Sequence, residues 1–599
     1  MSRVTCRISM PDLNRHLYTV EMHVVEPEAE TVFRMPVWTP GSYLVREYAR
    51  HVENVTAWGD EGVAIPVRKR DKAAWEVESK GHGSVTLAYQ VYAYDLTVRT
   101  SHLDATHGYF NGANVFAFPE GYEASPIGLE VTPPEGWSVS VALPRQPLTD
   151  DGVHRFWAVD FDELVDSPVE CGPHEEVLFN AGGITHRWVS WGEPGFDIAP
   201  LLGDVTAIID EEIALFGELP ADVDDYLFIA HVQDRRNGGL EHKKSQTIGI
   251  DRRTLHHAKS YEDFVTLVAH EYFHLWNVKR IRPQGLGPFD YSQENYTPLL
   301  WMMEGFTGYY DTLIPVRAGL ISVPRYLEIL GERIAALRST PGRHVRSLEQ
   351  SSFDAWIKLY RPDANTKNTA VSYYLKGELV ALLLDLTIRL RSQGASSLDD
   401  VMRFLWVRQR DTGAAIDPAD VNHIFQEATG CDLTAELDAW VRDVSDLPFA
   451  SRLADAGLAF EGRWKKTYDR TRLEGGAKKE AGPWLGLTTV TAKGRAQVST
   501  IRSDSPAADA SVYVGDELIA IDDIRVDSES WKGALSLRQP GDVVTLTLAR
   551  RKRLVRTEVT LAQAPHDAVE VKIATSLSDT QRGLLETWFG QSLSEDKAS

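Results

Sequence analysis

Two histidines four positions apart, with a glutamate after the first, are the residues of this 599-residue chain best suited to chemistry. His270-Glu271-Tyr272-Phe273-His274 sets both imidazoles one turn apart on the same face of a helix, where they reach one Zn²⁺ ion. Glu271 then stands beside the water that such an ion activates. At the chain's histidine and glutamate frequencies this spacing arises by chance about 0.04 times, so it points to zinc-dependent hydrolysis. Ser260 as N-cap, Asp263 three residues on, and the apolar stripe Phe264, Leu267, Val268 and Leu275 predict the helix that the motif needs.

A catalytic zinc keeps three protein ligands and one open position. Glu304, in Trp301-Met302-Met303-Glu304-Gly305-Phe306, is the candidate for the third. It falls in a second expected helix, started by Thr297-Pro298, and a carboxylate inside so apolar a run is costly unless it is paired or metal-bound. Two further segments complete a peptidase site. Gly238-Gly239-Leu240-Glu241 lies between the strand-like Tyr226 to Val232 and Thr247 to Ile250, so a glycine turn can present Glu241 beside an edge strand, ready to pair with a free α-amino group. Ser372-Tyr373-Tyr374-Leu375-Lys376-Gly377 opens a long helix, and a tyrosine hydroxyl there either donates to an oxyanion or simply packs.

These residues need a scaffold, and at 599 residues the chain is too long for one core. Apolar residues alternate in His16 to Val25 and in Val85 to Val91, which predicts half-buried strands and a β-rich first third. From about residue 195 the period becomes helical, with segments expected at 255–280, 298–314, 325–338, 372–393 and 397–410. Residues 463–482 lack apolar periodicity and read as a linker or exposed loop; beyond them short strands return, and 576–592 has the spacing of an amphipathic helix. The excess of 86 acidic over 63 basic residues, a formal charge of −23, argues against nucleic acid and anionic membrane as partners. Cys6, Cys171 and Cys431 make no disulfide framework, and no signal peptide or membrane span stands out. The chain therefore reads as cytoplasmic, or as secreted or periplasmic where a leader has been removed.

HEYFHLWNVKRIRP (from His270), WMMEGFTGYY (from Trp301), GGLEH (from Gly238) and PVWTPGSYLVREY (from Pro36) together resemble the glycyl aminopeptidase family of zinc peptidases. The resemblance implies a multidomain fold: an N-terminal β-sandwich-like domain at 1–180, a thermolysin-like, mainly helical zinc peptidase domain with a small edge sheet at 181–455, a linker at 456–482, a PDZ-like β domain at 483–565 and a helical tail at 566–599. The more distant aminopeptidase N family implies the roles: one Zn²⁺ on His270, His274 and Glu304, Glu271 as base, Glu241 as amine anchor with Gly238 and Gly239 in its turn, and Tyr374 as oxyanion donor, with Tyr373 the fallback. Leu485, Gly486 and Leu487 resemble a PDZ carboxylate loop, which binds a peptide C-terminus. The expected function is a zinc aminopeptidase that removes small N-terminal residues, glycine and also alanine, from peptides with a free N-terminus. The alternatives are a zinc endopeptidase and a PDZ peptide-binding scaffold with a vestigial metal site.

Overall fold

Val4, Cys6, Ile8 and Met10 on one strand, and Tyr18, Val20, Met22 and Val24 on the next, are buried while the residues between them are less so. Each strand thus has one face that only a second layer can cover. The computed structural model describes residues 3–192, 196–234, 238–464 and 481–593. It divides into two compact units, one made of Met1–Thr297, Tyr310–Ile321 and Asp399–Val421, the other of Pro298–Tyr309, Ser322–Leu398 and Asn422–Ser599.

In the first unit a seven-stranded sheet has the order His154–Ala158, Ile127–Thr132, Val4–Asp12, Leu17–Val25, Ser84–Tyr92, Val52–Trp58 and Ala64–Ile65. Its one parallel pair is Val4–Asp12 with Ile127–Thr132. Two four-stranded sheets share a hydrophobic core with it, so that Ile8, Met22 and Leu87 belong to one cluster with Phe33, Trp75, Phe110 and Cys171. This is the sandwich-like β domain. A further five-stranded sheet runs Val177–Ala181, Ile184–Gly192, Asp225–Gln233, Ser245–Asp251 and Gly238–Glu241. Its three middle strands are parallel, and both edge strands are antiparallel to their neighbours. The near-continuous burial of Tyr226 to Val232 follows from cover on both faces. Helices Leu202–Phe216 and Ala258–Phe273 belong to the same layered core: Phe216 meets Phe273 at 5.1 Å between ring centroids, and Tyr226 meets Tyr272 at 4.8 Å.

The motif helix begins earlier than the expected cap at Ser260. Its N-cap is His257, and Ser260 is a buried residue inside the first turn, because the bonds from Thr254 N–H to Asp251 O and from His256 N–H to Arg253 O deliver the chain to His257 in extended conformation. Helix Leu300–Arg317, by contrast, starts later, after Thr297-Pro298, since the first carbonyl to accept helical bonds is that of Leu299.

In the second unit helix Tyr373–Arg391 is buried on nearly every side, which explains its lack of a polar stripe. The PDZ-like part is an antiparallel sheet of Leu487–Ala492, Arg495–Ile501, Glu517–Ile521, Val543–Arg550 and Arg553–Thr560, with Ile524–Arg525 hairpinned onto the third strand. Of its two-residue hairpin turns, Lys493-Gly494 has a glycine and two others have none. Asp522-Asp523 and Arg551-Lys552 all have positive φ, from 48° to 69°, as a two-residue hairpin turn requires. The basic run Arg550 to Arg553 is therefore a hairpin turn. The linker expected at 456–482 lies largely outside the described residues, and its early part, Leu458–Arg463, is a strand paired with Ala568–Ile573. In the tail, helix Asp579–Phe589 buries Leu584, Leu585, Trp588 and Phe589, and Trp588 Nε1 donates to Tyr309 Oη at 2.7 Å. All three cysteines are buried free thiols, and no described helix is long and apolar enough to cross a membrane.

Candidate active site

His270 lies in the last turn of the motif helix and His274 caps it. Their ring centroids are 4.7 Å apart and the rings nearly perpendicular, at 86°. Each Nδ1 has its own partner: Asp311 Oδ2 at 3.2 Å from His270, and the Asn277 carbonyl, which accepts from His274 at 2.6 Å. Such bonds fix the tautomer that presents Nε2, on the far side of each ring, to a metal. The donor set and its backing bonds therefore fit zinc. Glu271, 4% exposed, follows His270 directly.

The edge strand Gly238–Glu241 lies against this helix, and its two glycines have different reasons to be there. Gly238 has φ +137°, a backbone conformation that side chains rarely adopt. At Gly239 a Cβ would overlap the Glu271 carboxyl, so the strand approaches that carboxyl closely only because the position has no side chain. Arg99 Nη2 holds the strand by donating to the Gly239 carbonyl at 3.1 Å. Glu241, Glu271 and His274 are buried, and each offers a ligand atom within 4.8 Å of the others'. Beyond the same strand, His242 Nδ1 lies 3.3 Å from Asp166 Oδ1, and Lys279 Nζ donates to that oxygen at 2.6 Å. Burial pushes the Asp166 carboxyl up, but Lys279 and His242 more than offset this and hold it well below the usual carboxylate range.

The segment Trp38 to Tyr43 of the β domain walls the other side of Glu241. Gly41 has φ +80°, and a Cβ there would stand 2.6 Å from Glu241 Oε1 and from Leu240 Cδ1. Trp38 Nε1 donates to the Asp290 carbonyl at 2.9 Å, while its ring stacks on Tyr43 and meets Phe289 edge-on. Pro40, Gly41, Tyr43 and Glu241 line a cavity of about 10 Å³, room for about one water.

The other candidates sit together in the second unit. Glu304, 2% exposed, precedes Gly305, and a Cβ at Gly305 would come within 2.6 Å of the Gly377 backbone. The glycines of Glu304-Gly305-Phe306 and Leu375-Lys376-Gly377 thus let two helices cross backbone to backbone, bringing Glu304 and Tyr374 onto adjoining turns. Tyr374 is half-buried, stacks on Tyr373 at 4.7 Å, and has its hydroxyl 3.5 Å from that of Tyr360. Burial first, and then the Glu304 and Tyr360 charges, push its phenol well above the usual range, so it is a proton donor at neutral pH. Tyr373 is fully buried, and of the two tyrosines Tyr374 is the one with an accessible edge. In the PDZ-like part Leu485 is a core residue whose carbonyl accepts from Ala507, Gly486 has φ +77°, and Leu487 opens an edge strand.

Sequence reasoning passed over Asp311, Asn277, Gly41 and Tyr360. Asp311 carried a signal, seven residues after Glu304 and hence on the same helix face. Asn277 acts through its carbonyl, which no side-chain pattern reveals. Gly41 lay in a motif with no role attached to it, and Tyr360 is remote in sequence from the hydroxyl it meets.

Family models for a peptidase M61 N-terminal domain, for M61 glycyl aminopeptidase and for a PDZ domain match residues 5–173, 263–380 and 483–561. No curated protein matches the chain. The crystal structure of an aminopeptidase N family protein from Idiomarina loihiensis is 31% identical and superposes with a TM-score of 0.89 over 97% of this chain and 100% of that one. An M1 zinc metallopeptidase from Deinococcus radiodurans is 16% identical, with a TM-score of 0.48 over 74% of this chain and 94% of that one.

Proposed function

The chain belongs to the M61 glycyl aminopeptidase family and is a metalloaminopeptidase, and from that premise we propose that it removes glycine, and also alanine, from the free N-terminus of peptides with one zinc ion held by His270, His274 and Glu304. The observation that carries the reading is the buried Glu241 carboxylate beside Glu271 and His274. An aminopeptidase must recognise an ammonium one residue from the scissile bond, and a carboxylate fixed at the base and ligands is the group that does so. Glu304 is supported as third ligand by its helix: it stands two turns before Asp311, on the same face, and Asp311 bonds His270.

Bound there, zinc supplies Lewis-acid chemistry, acidifying a water and polarising the scissile carbonyl. Glu271 takes the proton of the attacking water and passes it to the leaving amine. Glu241 binds the substrate ammonium and fixes which bond is cut. Tyr374 donates its hydroxyl proton to the oxygen on which charge develops. Trp38 to Tyr43, closing on Glu241, favour a substrate with little or no side chain. The loop of Leu485, Gly486 and Leu487 holds the C-terminal carboxylate of a peptide as that peptide adds as a strand.

A panel of amino-acid anilides, with and without chelator and beside N-acetylated peptides, tests the reading. Glycyl and alanyl anilides are expected to be cleaved, larger residues slowly, acetylated peptides not at all, and chelation should abolish turnover. Equal cleavage of free and acetylated peptides would remove Glu241 from its role. Full zinc content and activity in Glu304→Ala would remove Glu304 from the ligand set.

A further inference from the structure

Two residues after Tyr374, and roughly 200° around the same helix, stands Lys376. It is 1% exposed, and its Nζ has no hydrogen-bond partner and no ion pair among the described residues. A buried ammonium without a partner is expensive, and proteins keep one where something pairs with it. Burial lowers its pKa to about 8, opposed in part by Asp443 and Asp446.

Lys376 lines a cavity of about 330 Å³, at the small end of ligand sites. Arg338 and Arg343 line it too, against one acid, Asp446. That acid is already engaged, for Arg343 Nε donates to Asp446 Oδ1 at 3.0 Å, while Arg343 Nη1 is taken by the carbonyls of Arg338 and Thr340. Lys376 and Arg338 therefore face the cavity without a direct ion pair among the described residues, Asp443 and Asp446 acting on Lys376 only from a distance, with Lys376 deep within it and the exposed Arg338 over the Phe460 ring at 5.9 Å. Leu447, Phe449 and Phe460 supply an apolar wall.

We infer that this cavity binds a small organic carboxylate with an apolar body, its carboxylate paired with Lys376 and Arg338 and its body lying on Leu447, Phe449 and Phe460. One buried cation neutralises one buried negative charge, which favours a carboxylate over a phosphate dianion. The apolar wall rewards an organic body that a bare ion lacks.

N-acetyl-L-phenylalanine is a suitable probe, because its blocked amine gives Glu241 nothing to hold. Calorimetric titration of the full chain should show it binding at least about tenfold more tightly than its uncharged amide. Binding should weaken at least about tenfold in Lys376→Met, which removes the charge, and in Ala450→Trp, which fills the space from an exposed helix position and guards against a folding defect in the first variant. It should persist after chelation. Equal binding of acid and amide, wild-type affinity in both variants, tighter binding of inorganic phosphate, or loss of binding on chelation would each overturn the proposal.

Discussion

Two groups of histidine and carboxylate in the first unit spend their polar atoms in opposite ways. In the trio His107, Glu170 and His231 the carboxylate lies between the rings: Oε1 is 2.7 Å from His107 Nδ1 and Oε2 is 3.0 Å from His231 Nε2. His107 is further stacked on Trp191 at 3.8 Å. Its members neutralise one another and tie the strand Val169–Gly172 to Asp225–Gln233, one from each of two sheets. Around His270 and His274 the acceptors, Asp311 and the Asn277 carbonyl, stand behind the rings on the Nδ1 side. Residue types alone do not separate the two groups. The proposed difference between a structural cluster and a metal-holding one is whether the acceptors lie between the histidines or behind them, because only the second arrangement leaves both remaining nitrogens for an external ion.

The sharpest way to break that contrast is to remove function from one group and stability from the other. Glu271→Gln should lower kcat/KM on a glycyl anilide by at least about 10³-fold, a general base's share of the rate, while zinc content by mass spectrometry and the melting temperature stay at wild-type values. Near-normal turnover would move Glu271 out of the chemistry and into the structural class.

Glu170→Gln should do the reverse. Burial pushes the Glu170 carboxyl up, but His107 and His231 outweigh it and hold the folded pKa at about 2 against an ordinary 4.5. The pairing therefore stabilises the fold fully above pH 4.5 and loses that contribution as pH falls toward 2, by about 3 kcal/mol in all. Unfolding of Glu170→Gln should accordingly need about 3 kcal/mol less at neutral pH, with the deficit shrinking between pH 4.5 and 2 and zinc content unchanged. Loss of zinc in this variant would show that the two groups are not independent.

How much of this was legible beforehand follows from the range of each interaction. His270, Glu271 and His274 lie within five residues, so helical geometry alone brings them together. Alternation in Leu17–Val25 and the apolar run Tyr226 to Val232 likewise report local burial, and both are strands. Gly239 and Gly41 stood in visible motifs, but their meaning is the closeness of Glu271 and Glu241, and that closeness is a tertiary fact. Glu170 meets partners more than sixty residues away on either side in sequence, and nothing around it marks its burial. The helix starts were misplaced for a related reason, since preceding turns and the Leu299 carbonyl decided them over the capping residues.

The smallest effect tests the rule itself. Asp311 and Glu170 make the same kind of bond to a histidine, so a purely structural view predicts the same consequence from losing either. Asp311, however, backs a ring whose other nitrogen is proposed to hold zinc, and its carboxylate makes that nitrogen a better donor while fixing the ring's orientation. Asp311→Ala should therefore weaken zinc binding by about 10- to 100-fold in a chelator competition, with turnover restored at saturating zinc. Asp311→Asn, which can still accept from Nδ1 but carries no charge, should fall between the two. Unchanged zinc affinity with a lowered melting temperature would class Asp311 with Glu170, as an acceptor that pins the fold, and the position of the acceptor would no longer distinguish the two groups.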